Sequence, residues 1–261
     1  MVSRVITLTT DFGGSDTYVA AMKGVLLSLV PDIQIVDVTH EIDAQDIWGG
    51  AYSVSTLMGL FPTDTIHIVV VDPGVGSDRK GMILETEHGL YVAPDNGVLT
   101  PLLDREPIRA VSIANPEVMR PVVSATFHGR DVFAPAAGHL AMGEPLSNFG
   151  EPIDKPVRLG LWEVERGDGW VRGRIVHIDR FGNAVTNLDR RDAPMEEEVE
   201  VSVASTTARG VRRTYADVGE GEVLALVGSQ ETVEISVRGG SASEQLDLRR
   251  GDQVEMRWWI A

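Results

Sequence analysis

Short β-branched runs alternate with helical-period stretches through the first part of the chain. Val5 to Leu8, Ile33 to Val38 and Ile66 to Val71 read as strands buried on both faces. Between them, Tyr18 to Val30 places apolar residues at helical spacing and stops at Pro31. Asp46 to Leu60 sets Ala51, Val54, Leu57 and Met58 on one helical face. Strands that alternate with helices in this way predict a parallel sheet with right-handed crossovers. Further on, Met82 to Thr86 and Leu90 to Ala93 flank Glu87-His88-Gly89 as a hairpin. Pro94-Asp95-Asn96-Gly97 is a strong turn signal, Val98 to Asp104 a short helix and Val132 to Met142 an alanine-rich one.

The texture changes near Gly150. Pro145, Pro152 and Pro156 with polar neighbours read as a linker, and the strand-helix alternation ends there. Short strands follow at regular spacing: Val157 to Val164, Trp170 to Ile178, Val199 to Ala204, Val223 to Val227, Val233 to Val237 and Gln253 to Trp259. Turns such as Gly167-Asp168-Gly169 separate them, as in a small barrel or sandwich. The expected organisation is an α/β domain with a central, mostly parallel sheet over residues 1–150 and a smaller β domain over 151–261.

Composition narrows the partners. The 261 residues are 43% hydrophobic, enough for a real core, and include no cysteine, so disulfides and thiolate chemistry are excluded. Lys plus Arg number 23 against 39 Asp plus Glu, a net charge of −16, which argues against nucleic acid because phosphates need a basic face. No apolar stretch approaches the roughly 18 residues of a membrane span. The expectation is a soluble, cytoplasmic protein with no membrane partner.

Candidate chemistry gathers at strand ends. Val69-Val70-Val71 runs into Asp72-Pro73-Gly74-Val75-Gly76, which puts Asp72 at a strand's carboxyl end with Arg79 just around the turn. Thr9-Thr10-Asp11-Phe12-Gly13 repeats the arrangement after the first strand, so Asp11 and Asp72 fall on the edge where open α/β sheets bind ligands. A turn-capping Asp beside a solvated Arg is the plainer meaning of either segment. Thr126-Phe127-His128-Gly129-Arg130-Asp131 places an imidazole just ahead of a helix, as a capping or packing residue or as a catalytic one. Asp179-Arg180-Phe181-Gly182-Asn183 sets an acid, an aromatic and an amide close together: an ordinary Asx-rich turn, or a holder for a heteroaromatic ring and a cation.

Together and in order, these segments and Ala93-Pro94-Asp95-Asn96-Gly97 resemble the S-adenosylmethionine hydroxide adenosyltransferases, relatives of fluorinase and chlorinase. The resemblance runs from about Val5 to Trp259. It implies an N-terminal α/β domain, a C-terminal β-barrel and a homotrimer that binds substrate between the N-terminal domain of one subunit and the C-terminal domain of the next. The implied reaction is attack of a water-derived hydroxide on the ribose C5′ of S-adenosylmethionine, giving adenosine and L-methionine with no cofactor and no metal. The implied catalytic set is Asp72, Arg79 and His128. Asp11 matches the carboxylate on the ribose hydroxyls, Phe127 a wall of the C5′ pocket, Asp179 the acid at the methionine ammonium and Asn183 the amide at the adenine. Ser229 falls at the methionine carboxylate, and Val237 and Gly239 at backbone contacts to the adenine.

The departures matter as much. Halogenase relatives carry an Arg beside the Ser229 position, where this chain has Gln230, and Arg238 is the replacement considered for it. They have a Tyr in place of Asp72, and the fluorinase has a Ser in place of Gly129 and an extra loop missing here between Glu85 and Leu90. A carboxylate at a halide site repels halide while still accepting hydrogen bonds from water. Three other readings stay open at this level: a 5′-halogenase, a metal-dependent hydrolase with Asp11, Asp72 and His128 as ligands, and a non-catalytic nucleoside-binding module.

Overall fold

Strand β1 (Val5–Thr10) lies between β2 (Gln34–Thr39) and β3 (Ile66–Val70), parallel to both, and β3 is followed across the sheet by β5 (Gly89–Pro94), β4 (Gly81–Thr86) and β6 (Arg109–Ile113). The computed structural model describes residues 4–103, 109–160, 163–192 and 198–259. The chain divides into two compact units, 1–159 and 160–261.

In the first unit the sheet is mixed rather than uniformly parallel. β3 and β5 run parallel, whereas β4 pairs antiparallel with both β5 and β6. The cause is the two-residue hairpin at Glu87-His88, which can join only antiparallel strands. Side chains of β3 alternate between two cores. Ile66, Ile68 and Val70 pack with Met22 and Leu26 of α1 (Tyr18–Leu29) and with Ala136 and Leu140 of a helix over Ala134–Ala141. Val69 packs with Val54 of α2 (Ile47–Ser55) and with Leu102 of α3 (Thr100–Leu103). Both faces of the sheet are therefore covered, which is why β3 is apolar apart from the buried His67. The helix over Ala134–Ala141, α4, is preceded by a π-helical turn, Gly129–Phe133.

The helix expected over Asp46 to Leu60 stops at Ser55. There the hydroxyls of Ser55 and Thr56 bond back to the carbonyls of Tyr52 and Ser53, and Gly59 takes a left-handed φ of 72°. Residues 157–160 of the strand expected over Val157 to Val164 are not extended into a ladder, residues 161–162 lie outside the described residues, and so does the end of the helix expected to reach Asp104.

The second unit holds nine strands among the described residues: β7 (Glu165–Gly167), β8 (Trp170–Ile178), β9 (Ala184–Asp189), β10 (Val199–Val203), β11 (Thr206–Arg209), β12 (Val211–Arg212), β13 (Val223–Val227), β14 (Thr232–Val237) and β15 (Gln253–Trp258). The ladder runs β11-β10-β15-β8-β9-β14-β13-β12 with β7 beside β8, and it curls until β11 approaches β13, nearly closing a barrel. Period-two alternation buries Val199, Val201 and Val203 of β10 and Val233, Ile235 and Val237 of β14 in one core. One short helix, α5 (Ala242–Leu246), breaks the all-β expectation; Ser241 caps it by accepting from the Glu244 amide. Among the described residues, no helix is long and apolar enough to cross a membrane.

Candidate active site

The pairing Thr10↔Val70 aligns the carboxyl ends of β1 and β3, so Asp11, one residue past β1, and Asp72, two past β3, emerge on the same edge. Both line a cleft of about 520 Å3 with Phe127 and His128. Among the described residues, no three His, Cys, Asp or Glu side chains come together in a group that could hold a metal ion.

Asp72, Arg79 and His128 meet in one hydrogen-bonded group. The turn after β3 folds back through Gly76, at φ 79°, whose α-carbon faces the Ala125 carbonyl so closely that a side chain would collide with it. Arg79 Nε donates to Asp72 Oδ1 at 2.9 Å and Oδ2 at 3.1 Å, and Nη2 donates to Oδ2 as well. The carboxylate is thus held by a planar fork, with the Asp72 side chain 5% exposed and that of Arg79 11%. Arg79 also sits over the Phe133 ring, 5.2 Å from its centroid.

The same Nη2 stands 2.6 Å from His128 Nδ1. A guanidinium can only donate, so Nδ1 accepts and the His128 proton resides on Nε2. Burial and the Arg79 charge lower the His128 pKa, and the Asp72 and Asp131 charges oppose them without reversing the direction. The imidazole is therefore neutral near pH 7.

Two residues that the sequence patterns had left without a role hold this group in place. Asn96 donates from Nδ2 to the Val71 carbonyl at 2.8 Å and accepts from the Val98 amide, which ties the Pro94-to-Gly97 turn to the residue before Asp72. Asp131, fully buried, accepts from Arg130, Arg120 and the Ser124 amide, and so fixes the loop that carries Phe127 and His128. The carboxyl of Asp131 is held below its usual value by those partners although burial pushes the other way. Phe127 meets Phe12 and Tyr18 edge to face, and Phe12 and Tyr18 are tilted against each other, forming an aromatic wall with centroids 5.1 to 5.9 Å apart. Tyr18 and Gln45 on the cleft wall were missed, since neither belongs to a motif.

The remaining candidates belong to the second unit. Asp179 accepts from the Phe181 and Asn183 amides, each at 2.8 Å, and from Asn183 Nδ2 at 2.9 Å. This is the plain Asx turn that the sequence allowed, with Asn183 buried and Phe181 75% exposed. Ser229 is exposed in the β13–β14 turn, Val237 closes β14 in the core, and Gly239 has a φ of 70°. Arg238 donates from Nη1 to the Val218 carbonyl at 2.6 Å.

Comparison with known proteins agrees along both units. The SAM hydroxide adenosyltransferase N-terminal domain matches residues 6–150, and the corresponding C-terminal domain matches residues 173–255. A Thermus thermophilus protein named (R)-S-adenosyl-L-methionine hydrolase is 38% identical, with 97% of this chain and 99% of that protein covered. The crystal structure of an uncharacterized conserved protein from Thermotoga maritima superposes with a TM-score of 0.89 at 33% identity, covering 97% and 99% of the two chains. A fluorinase from Nocardia brasiliensis is more distant, at 28% identity over 97% of this chain and 96% of its own.

Proposed function

Because the chain belongs to the SAM hydroxide adenosyltransferase family, we propose that it hydrolyses S-adenosyl-L-methionine to adenosine and L-methionine by attack of water on the ribose C5′, without a metal. The observation that carries this reading is the hydrogen-bonded Asp72–Arg79–His128 group, which presents Asp72 and His128 on the wall of the cleft. Asp72 stands where halogenase relatives carry a tyrosine, and it disfavours halide by charge while accepting a hydrogen bond from water.

Bulk water, with a pKa of about 15.7, cannot be deprotonated beforehand by a carboxylate of about 3.9. Proton loss therefore accompanies bond formation. As the C5′–O bond forms, the C5′–S pair of electrons returns to sulfur, the sulfonium leaves as a neutral thioether, and the water's proton passes to Asp72. Arg79 holds the carboxylate in line and offsets charge around the entering oxygen. His128, with its proton on Nε2, is left as a donor to that oxygen rather than as the first base. Attacking water held in line is worth several kcal/mol through proximity.

Asp11 holds the ribose hydroxyls, and Phe127 walls the C5′ pocket. Asp179, Asn183, Ser229, Val237 and Gly239 take the methionine and adenine ends. These residues lie on the second unit, and the working form in this proposal is a cytoplasmic homotrimer in which a neighbouring copy supplies them. Incubation with S-adenosylmethionine in 18O water tests the chemistry: adenosine labelled at O5′ is expected even in excess fluoride or chloride. A 5′-halogenated nucleoside, or no turnover, overturns it. Mixing His128→Ala with Asp179→Ala chains, assayed at substrate far below the raised KM of the latter, tests the shared site, since activity above the sum of the two separate variants requires intact halves from different copies.

A further inference from the structure

Thr10, the last residue of β1, is fully buried, and its hydroxyl accepts from the Phe12 amide at 3.2 Å while standing 2.9 Å from His40 Nδ1. His40 comes directly after β2, and its own carbonyl accepts from the Gly13 amide at 2.7 Å. On the other side of the ring, Nε2 lies 3.1 Å from Asp37 Oδ1, and Lys23 of α1 donates to Asp37 Oδ2 at 2.6 Å. The Asp37 carboxylate, 3.1 Å from Nε2 though not aligned for a hydrogen bond, favours the proton on Nε2, and that tautomer has Nδ1 accepting from the Thr10 hydroxyl. The hydroxyl then has its two roles filled, donating to His40 and accepting from Phe12.

The sequence Lys23, Asp37, His40, Thr10 thus runs from the face of α1 to the bend made by Asp11 and Phe12. Asp11 and Phe12 line the cleft; Lys23, Asp37, His40 and Thr10 do not. The bend is otherwise tied down by the Gln45 amide, which donates to Asp11 Oδ2 at 2.8 Å from a residue with a φ of 67°. Gripped at Thr10 by the His40 ring and at Gly13 by the His40 carbonyl, the bend has one residue holding both of its ends.

We propose that His40 is a positioning residue: through the Thr10 hydroxyl it sets the orientation of Asp11 and Phe12, and with it the affinity for the ribose end of the substrate rather than the rate of the chemical step. The inference rests on the proposed role of Asp11 at the ribose. Its signature is a split between KM and kcat, because ribose contacts are made alike in the ground and transition states. Losing one hydrogen bond of this kind costs about three- to tenfold.

The test uses the full chain and four substitutions read by KM and kcat for S-adenosylmethionine, by calorimetric affinity for adenosine and by thermal unfolding. His40→Asn keeps an acceptor at the place of Nδ1 and should stay within about twofold of the parent in every binding reading. His40→Gln, which reaches toward Asp37 and leaves the Thr10 hydroxyl unpaired, should raise KM and weaken adenosine about three- to tenfold with kcat nearly unchanged. Thr10→Val, which removes only the hydroxyl, should do the same, and it decides the matter if a His40 variant fails to fold. Asp11→Asn is the reference. If it raises KM while His40→Gln and Thr10→Val do not, the positioning role is overturned and the ribose reading stands. If Asp11→Asn leaves KM and adenosine affinity unchanged, the ribose reading falls and the positioning role falls with it. His40→Asn as impaired as His40→Gln also overturns the proposal, because the ring would then matter for packing alone.

Discussion

Asp72 and Asp179 are both carboxylates at the end of a strand, followed by a glycine-containing turn, yet the structure uses them differently. The partners of Asp72 come from seven and, through Arg79, forty-nine further residues along the chain, and the group presents Asp72 and His128 on the wall of an open cleft. All three donors to Asp179 come from within four residues of it. A group assembled over that distance pays loop-closure entropy for an arrangement that a turn would not need. The Asp179 turn, by contrast, satisfies itself locally and would look the same in a protein that bound nothing. Geometry thus supports a chemical role at Asp72, whereas at Asp179 only the family resemblance does.

The largest effect expected is one that breaks this asymmetry or sustains it. Asp72→Asn, Arg79→Ala and His128→Ala should each lower kcat by at least about 10²-fold, the usual scale for a lost proton acceptor or an electrostatic donor. Asp179→Ala should change kcat by only a few-fold and act on KM. Steady-state kinetics on purified variants decides it, and a His128→Ala enzyme with near-parental kcat would reduce that imidazole to packing.

Acid separates the two units next. His67 of β3 is stacked on Tyr91 with centroids 4.5 Å apart, and Thr7 Oγ1 stands 2.8 Å from its Nδ1. Burial lowers its pKa to about 4. From about pH 6.5 down to about 4 the unfolded chain binds a proton that the folded chain refuses, so stability falls as pH falls through that window, by on the order of 3 kcal/mol, and then levels off. Glu234 of β14 has the opposite slope: burial and the Asp179 charge raise its carboxyl, so its contribution is lost as pH rises past the carboxylate range. Amide exchange at β3 and β14, followed between pH 7 and 4, should show β3 losing protection first. His67→Gln should flatten that dependence.

Much of this was legible in the sequence, and the failures have physical reasons. Asp11 and Asp72 could be placed on one edge because unbroken β-branched runs demand a sheet covered on both faces, and the structure covers it with α1 and α4 on one side and α2 and α3 on the other. β9 is absent from the strands the sequence predicts, since Ala184-Val185-Thr186-Asn187 carries too little apolar alternation to separate strand from the turn before it. The barrel strands β11 and β12 are four and two residues long, below what periodicity can register. Asn96 and Asp131 sat inside quoted motifs, but a motif does not say whether a residue touches substrate or holds the one that does. His40 gave no signal, because Thr10, its partner thirty residues away, is brought to it only by the pairing of β1 with β2.

A third substitution returns to the Asp179 turn. Asp179→Ala strips the acceptor from two backbone amides and the Asn183 side chain, and with Asn183 buried the loss should reach about 1–3 kcal/mol, read as a lower melting temperature. Asp179→Asn retains an acceptor and should recover most of that loss. If affinity for S-adenosylmethionine recovers together with stability, the acid serves the turn alone. If stability recovers while affinity does not, the charge itself meets the ligand, and the two carboxylates become alike after all.

The smallest effect expected is at Gly129, next to His128. A β-carbon there would come within 3.2 Å of Met22 Sδ and 3.3 Å of the Phe12 ring, tight contacts but with a flexible thioether on one side. Gly129→Ser, which installs the fluorinase residue, should therefore cost about 1 kcal/mol of stability and a few-fold in kcat/KM as the aromatic wall shifts. It should not produce a fluorinated nucleoside, because in the proposed site the Asp72 carboxylate faces the entering nucleophile and repels halide. Product chromatography in saturating fluoride checks this. A 5′-fluoro product from the single variant would show that the hydroxyl donor at 129, rather than the carboxylate at 72, selects the nucleophile. The contrast between the cleft and the turn would then rest on the wrong residue of the group.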